Sequence, residues 1–140
     1  MSEGRILAQD EEIRALLTSA KTIAVVGISP KPDRDSHRVA AYLQGRGYRI
    51  IPVRPAQAEI LGEKAYPSLE DIPGTVDIVD VFRRADQIPA HAEEALRLRP
   101  RAFWMQEGIE HPEAAERLRR AGIDVVMNRC IMREHARLLG

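Results

Sequence analysis

Short apolar runs rich in β-branched residues recur along the chain, with amphipathic stretches between them. They are TIAVVGI at 22–28, YRIIPV at 48–53, VDIVDVF at 76–82, RAFWM at 101–105 and IDVVM at 123–127. Runs this short and continuous suit strands buried on both faces of a parallel sheet. The intervening segments have helical spacing. Asp10 can cap a leading helix with Ile13, Leu16, Leu17 and Ala20 inward, and Ser36 can cap a second that carries Val39, Tyr42 and Leu43 and stops at Gly45 or Gly47. Residues 85–99 put Ile88, Ala92, Ala95 and Leu96 on one stripe, Pro112 suits the first turn of a helix ending at Gly122, and Ile131 to Leu139 reads as a closing helix. Between Arg54 and Thr75 three prolines and two glycines interrupt the pattern, which predicts a short edge strand near Ile60–Tyr66 and one helical turn at Ser68–Asp71. Strands alternating with helices specify an α/β fold. The expected architecture is a single-domain, doubly wound parallel sheet of six strands in the order 3-2-1-4-5-6.

The length of 140 residues fits one domain spanning 1–140, and an apolar content of 44% is enough for a sizeable core. Lys plus Arg and Asp plus Glu are both 21, so no bulk charge draws the chain to nucleic acid or to an anionic membrane. Cys130 is the sole cysteine, which excludes an intramolecular disulfide and cysteine-rich metal sites. No apolar run is long enough for a membrane span and the first residues are too acidic for a signal peptide, so a cytoplasmic protein is expected.

Ligands of such sheets bind beyond the carboxyl ends of the strands, where the strand order reverses. Here the reversal is expected between the strands that end at Ile28 and Phe82. The first strand leads through Gly27 into Ile28-Ser29-Pro30-Lys31 and on to Ser36 at a helix start. That is the setting of a phosphate cradle, yet it is not G-x-G-x-x-G, and Lys31, Arg34, His37 and Arg38 gather in or beside the loop. After the second strand stands Val53-Arg54-Pro55, where an NAD site would need a carboxylate. A basic residue there suits a ligand with an extra phosphate on its adenosine ribose, which NADP and coenzyme A both carry.

Phe82-Arg83-Arg84 at the next strand end offers an aromatic wall and guanidinium groups for phosphate. Met105-Gln106-Glu107-Gly108 follows the fourth run, with Glu107 the best single candidate for acid–base work. His37, His91, His111 and His135 are scattered without metal-ligand spacing, so surface or helix positions are expected for them and no metal site is assigned. Cys130 has no neighbouring partner for nucleophilic chemistry, and no G-x-S-x-G surrounds Ser29 or Ser36. Trp104 is expected to pack within the sheet.

Taken together, AVVGIS with the following P-P-R-S at 24–36, GYRIIPVRP at 47–55, ILGEKAYPSLEDIP at 60–73, VDIVDVFRR at 76–84, WMQEGI at 104–109 and AGIDVVMNRC at 121–130 resemble the small CoA-binding domain proteins. These are in turn similar to the N-terminal domain of the succinyl-CoA synthetase alpha subunit. The resemblance implies a Rossmann-like fold that binds coenzyme A or an acyl-CoA. It implies contacts from Gly27, Ile28, Ser29, Pro30, Lys31 and Ser36, from Val53, Arg54 and Pro55, from Phe82 and Arg83, and from Met105, Gln106 and Glu107. In this reading the first loop and the helix at Ser36 hold the pyrophosphate, and Val53 and Pro55 wall the adenine or ribose. Arg54 and basic residues near Arg34 face the 3′-phosphate, and Gln106 lies towards the pantetheine.

Arg54 stands where the family commonly has an amide, and Gln57 is neutral where the synthetase has a basic residue. The synthetase's phosphohistidine belongs to a further domain, so the resemblance implies ligand binding and carries no ligase activity or catalytic residue with it. Two other readings remain: an NADP-dependent enzyme, and an interaction module that has kept the fold without the ligand. A homodimer through the outer helices, or an unidentified protein partner, is left open.

Overall fold

Each apolar run becomes a strand that starts or stops a residue or two inside the run. The computed structural model describes residues 2–140. Five parallel strands form the sheet: β1 (Thr22–Val26), β2 (Arg49–Val53), β5 (Ile78–Val81), β6 (Ala102–Met105) and β7 (Asp124–Val126), in the order β2-β1-β5-β6-β7. Helices cover both faces. α1 (Asp10–Ser19), α2 (Asp35–Gly45) and α5 (Ile131–Leu139) enclose one core with Ile23, Val25, Ile78 and Trp104. α3 (Ile88–Leu98) and α4 (Pro112–Arg120) enclose the other with Ala24, Val26, Val79, Val81 and Phe103. Successive strand residues point to opposite faces, so burial on both sides explains why the runs are continuous rather than alternating.

The expected sixth strand is corrected. Residues 59–64 pair with themselves as a hairpin of β3 (Glu59–Ile60) and β4 (Glu63–Lys64), turned by Leu61 at φ 57° and Gly62 at φ 75°. From this segment Tyr66 alone reaches the sheet. Its N–H donates to Pro52 O at 3.0 Å and its carbonyl accepts from Arg54 N at 2.8 Å, a single parallel bridge outside β2. Pro67 then leads the chain away into a short 3-10 turn at Leu69–Asp71, so the ladder cannot lengthen. β2 is therefore the edge of the sheet apart from that bridge, which is where a strand proline such as Pro52 is tolerated. At the opposite edge, Arg5 to Leu7 bridges β7: Leu7 N–H donates to Val125 O at 2.8 Å, and Val125 N–H to Arg5 O at 2.9 Å.

Helix starts also differ in detail. α1 begins at Asp10, one residue after its cap position, and Gln9 N–H donates to Glu12 Oε1 at 3.3 Å. Asp10 accepts two hydrogen bonds from Arg137, at 3.0 and 2.9 Å, and ties α1 to α5. The stripe expected from residue 85 begins as a 3-10 turn, Ala85–Gln87, that passes into α3. Among the described residues no helix is long and apolar enough to cross a membrane.

The two aspartates of the third run meet different fates. Asp77 accepts the N–H groups of Lys21 and Thr22, at 2.7 and 3.1 Å, and aligns the starts of β1 and β5. Asp80 lies between Val25 and Trp104 in register, fully buried, and neither carboxyl oxygen has a hydrogen-bond partner. Burial pushes its carboxyl well above the ordinary carboxylate range. A group with a raised folded pKa binds protons more readily in the folded state, so its contribution to stability is lost as pH rises from the unfolded value towards the folded one. Replacing Asp80 with Val should raise the unfolding free energy at pH 8 by about 1–3 kcal/mol, the usual penalty of an unsatisfied buried group. The gain should be smaller at pH 5. Denaturant unfolding of both proteins at the two pH values checks this; a loss of stability at pH 8 would contradict it.

Candidate functional site

The order β2-β1-β5 places the reversal of winding between β1 and β5. At that point Gly27 leaves β1 with φ 83°, and its N–H donates to Val53 O at 3.0 Å. A Cβ on Gly27 would stand 2.6 Å from the carbonyl oxygen of Phe82 and 2.8 Å from Arg83 Cδ. Glycine is required here for its conformation and for the close approach of two strand ends.

The loop that follows is held from inside. Ser36 is corrected from cap to first-turn residue: α2 starts at Asp35, and Ser36 is buried with its Oγ accepting Ser29 N–H at 2.9 Å. Ser29 Oγ in turn accepts Lys31 N–H at 3.1 Å. Pro30 and Pro32 lack N–H groups and those of Ser29 and Lys31 are engaged, while the first turn of α2 has N–H groups with no acceptor within the helix to offer an anion. Arg54 Nη1 donates to Ile28 O at 3.1 Å and joins the end of β2 to this loop. Arg38 reaches back to Asp33 O at 2.5 Å and to Asp35.

Three adjoining clefts run along this end of the sheet. One of about 330 Å³ lies between β2 and α3, with Val53, Pro55 and Arg83 in its lining. A second of about 630 Å³ lies against the first loop, with Ser29, Pro30, Lys31 and Arg34. These two share Gly27 and Arg54. The third, about 770 Å³, opens between α2, β6 and α5 and includes Gln106, Glu107 and Cys130. It shares Phe82 and Asp35 with the second and Arg83 with the first, so the three form one groove across the winding reversal.

Most residues singled out from the sequence come together in this groove, in different capacities. The side chains of Ile28 and Met105 are fully buried in the two cores, which leaves them only backbone atoms to offer. Val53 is nearly buried and forms part of the wall of the smallest cleft. Gln106 is also buried, and its Oε1 accepts Ile131 N–H at 3.1 Å, so it starts α5 as well as lining the largest cleft. Glu107 is exposed and pairs with Arg133 at 3.0 Å across the mouth of that cleft. Trp104 packs inside the sheet and donates its indole N–H to Arg129 O at 2.7 Å.

The sequence reading missed other parts. His111 caps α4, its Nδ1 accepting Ala114 N–H at 3.1 Å. His135 is buried, with Nδ1 3.0 Å from the Tyr42 hydroxyl, and burial together with nearby Arg46 holds its pKa below the usual range. His91 and Glu94 line the smallest cleft, and their side chains bond to each other. The only prior signal for this pair was its spacing, one turn apart near the start of the helix that leaves the winding reversal.

A family model described as a CoA binding domain matches residues 21–136. The chain belongs to this CoA-binding domain family. It is 48% identical over 125 residues to the Bacillus subtilis uncharacterized protein YneT, covering 89% of this chain and 93% of that one. A Thermus thermophilus protein of solved structure superposes with a TM-score of 0.90 at 48% identity, covering 94% of this chain and all of that one. A hypothetical protein from Pyrococcus horikoshii OT3 superposes at 0.91 with 43% identity over the full length of both. The chain is also 29% identical over 121 residues to an ADP-forming acetate–CoA ligase of Archaeoglobus fulgidus, and spans only 18% of that protein's length.

The first consequence of this geometry concerns Gly27. Gly27→Ala should destabilise the fold by roughly 1–3 kcal/mol, because it adds left-handed strain at a point where the neighbouring carbonyl cannot retreat. Thermal unfolding measures it, and an unchanged melting temperature would show that the strand ends can part freely.

Proposed function

We propose that the chain binds coenzyme A, or an acyl-CoA, in the groove across the winding reversal and performs no reaction on it by itself. The observation that carries this reading is the groove itself: adjoining clefts meet at Gly27, where the winding reverses between β1 and β5. An elongated ligand with a nucleotide at one end and a flexible arm at the other fits such a shape. The cations at its rim add to the argument. Lys31, Arg34, Arg54 and Arg83 line the two clefts beside Asp33, Asp35 and Glu94, so cations outnumber carboxylates there although the whole chain has no net charge.

The residues then divide the work. The first turn of α2 and the Ser29–Lys31 segment face the pyrophosphate, with the helix dipole adding to the attraction. Arg54, already anchored to Ile28 O, presents charge to the ribose phosphate from a fixed position. Arg83 supplies charge-assisted hydrogen bonds from the other side. The largest cleft takes the pantetheine arm beneath the Glu107–Arg133 pair. With its carboxylate engaged by Arg133, Glu107 serves as a polar group at the cleft and takes no part in proton transfer. Coenzyme A supplies a thiol as acyl carrier, and the protein supplies its binding and orientation.

Titration with CoA, dephospho-CoA, NADP and NAD tests the proposal. Stabilisation by CoA is expected, about 2.7 kcal/mol at a concentration 100 times the dissociation constant, with a weaker effect of dephospho-CoA. Arg83→Ala should weaken CoA binding by about 1.5–3 kcal/mol, the range for a hydrogen bond to a charged group. A response to NADP in place of CoA, or to none of the four, would overturn the reading.

A further inference from the structure

The smallest cleft contains a polar pair that the phosphate-directed residues leave unexplained. His91 and Glu94 stand one turn apart on α3, and His91 Nδ1 lies 2.8 Å from Glu94 Oε1. Both side chains are largely enclosed, 20% and 18% exposed. A carboxylate only accepts hydrogen bonds, so the ring proton sits on Nδ1, and Nε2 is the remaining nitrogen. In the neutral ring that nitrogen is an acceptor. The second carboxylate oxygen of Glu94 is another. Val26, Val53, Pro55 and Pro67 give the same cleft apolar surface, and Ser68, Arg54 and Arg83 complete its polar lining. A cleft of about 330 Å³ that combines apolar surface with acceptors suits a flat heteroaromatic ring bearing an exocyclic amine.

We propose that the His91–Glu94 pair reads the amino group of an adenine seated in this cleft. The inference rests on the proposed binding of a CoA-type ligand and goes further by naming the residues that select its base. An adenine N6 group has two N–H donors to offer to these acceptors. Hypoxanthine carries a carbonyl oxygen at that position, which would face acceptors and leave buried lone pairs opposed. Arg54 and Arg83 at the rim of the same cleft then meet phosphates on the ribose side. The pair is a specificity device and touches no reacting atom.

Isothermal titration of the full chain with CoA, its hypoxanthine analogue, ADP, IDP and 4′-phosphopantetheine tests this. The wild type should prefer CoA to the hypoxanthine analogue, and ADP to IDP, by about tenfold, the value of one good hydrogen bond. Glu94→Gln keeps the bond from His91 but turns an N–H2 donor towards the base. His91→Ala removes one acceptor. Each should reduce the preference to less than about threefold while leaving 4′-phosphopantetheine binding unchanged. Thermal melts confirm that both variants fold, and either one alone is enough for the comparison.

Equal affinity of the wild type for amino and keto bases, or a preference unaltered in the folded variants, overturns the role of the pair and leaves CoA binding intact. Selective binding of ADP over IDP without CoA binding removes the parent reading and keeps the pair's role. No binding of any of the five removes both.

Discussion

Two neighbouring parallel strands that send their chains to opposite faces of a sheet leave a gap that neither connection can fill. In this protein β1 leads to α2 on one side and β5 leads to α3 on the other. At the base of the gap the two strand ends are joined by the β1–β5 ladder, Phe82 N–H donating to Val26 O at 2.9 Å, and glycine at position 27 permits that approach because a Cβ there would meet the carbonyl of Phe82. The groove is built on that close approach, which brings Arg54 and Arg83 to the lining of one cleft.

The interior separates polar groups that organise the fold from one that does not. Asp77 collects backbone donors at the start of β1, Gln106 starts α5, and the indole of Trp104 holds the segment before that helix. His135 shares a hydrogen bond with Tyr42 and edge contacts with Tyr42 and Tyr48, which joins α5 to α2. Each of these groups is buried or half-buried and has a partner, as interior polar groups require. Asp80 has none and sits in the middle of the sheet. It marks a place where this chain carries an electrostatic penalty on a strand that also supports the groove.

Membership of the CoA-binding domain family covers residues 21–136, nearly the whole chain, whereas the chain matches only a small fraction of the acetate–CoA ligase. The match to the ligase covers 79% of this chain. The proposed function is confined accordingly to ligand binding, and the activity named for the longer protein is not assigned to this chain.

Period and punctuation in the sequence determined the alternation of strands and helices, because β-branched runs and amphipathic stripes are local consequences of burial on two faces or on one. They also determined which loops crowd the winding reversal, since a right-handed crossover leaves little freedom once the strands are known. Tertiary structure alone decided the rest. Residues 59–64 folded back on themselves because two successive left-handed residues and a following proline prevent a longer ladder. Ser36 became a clasp for Ser29, and Ile28 and Met105 turned into the cores, because the facing of a residue at a strand end depends on what packs beside it. The His91–Glu94 pair, one turn apart on α3, came to line the groove only because α3 docks beside the end of β2, which no local pattern specifies.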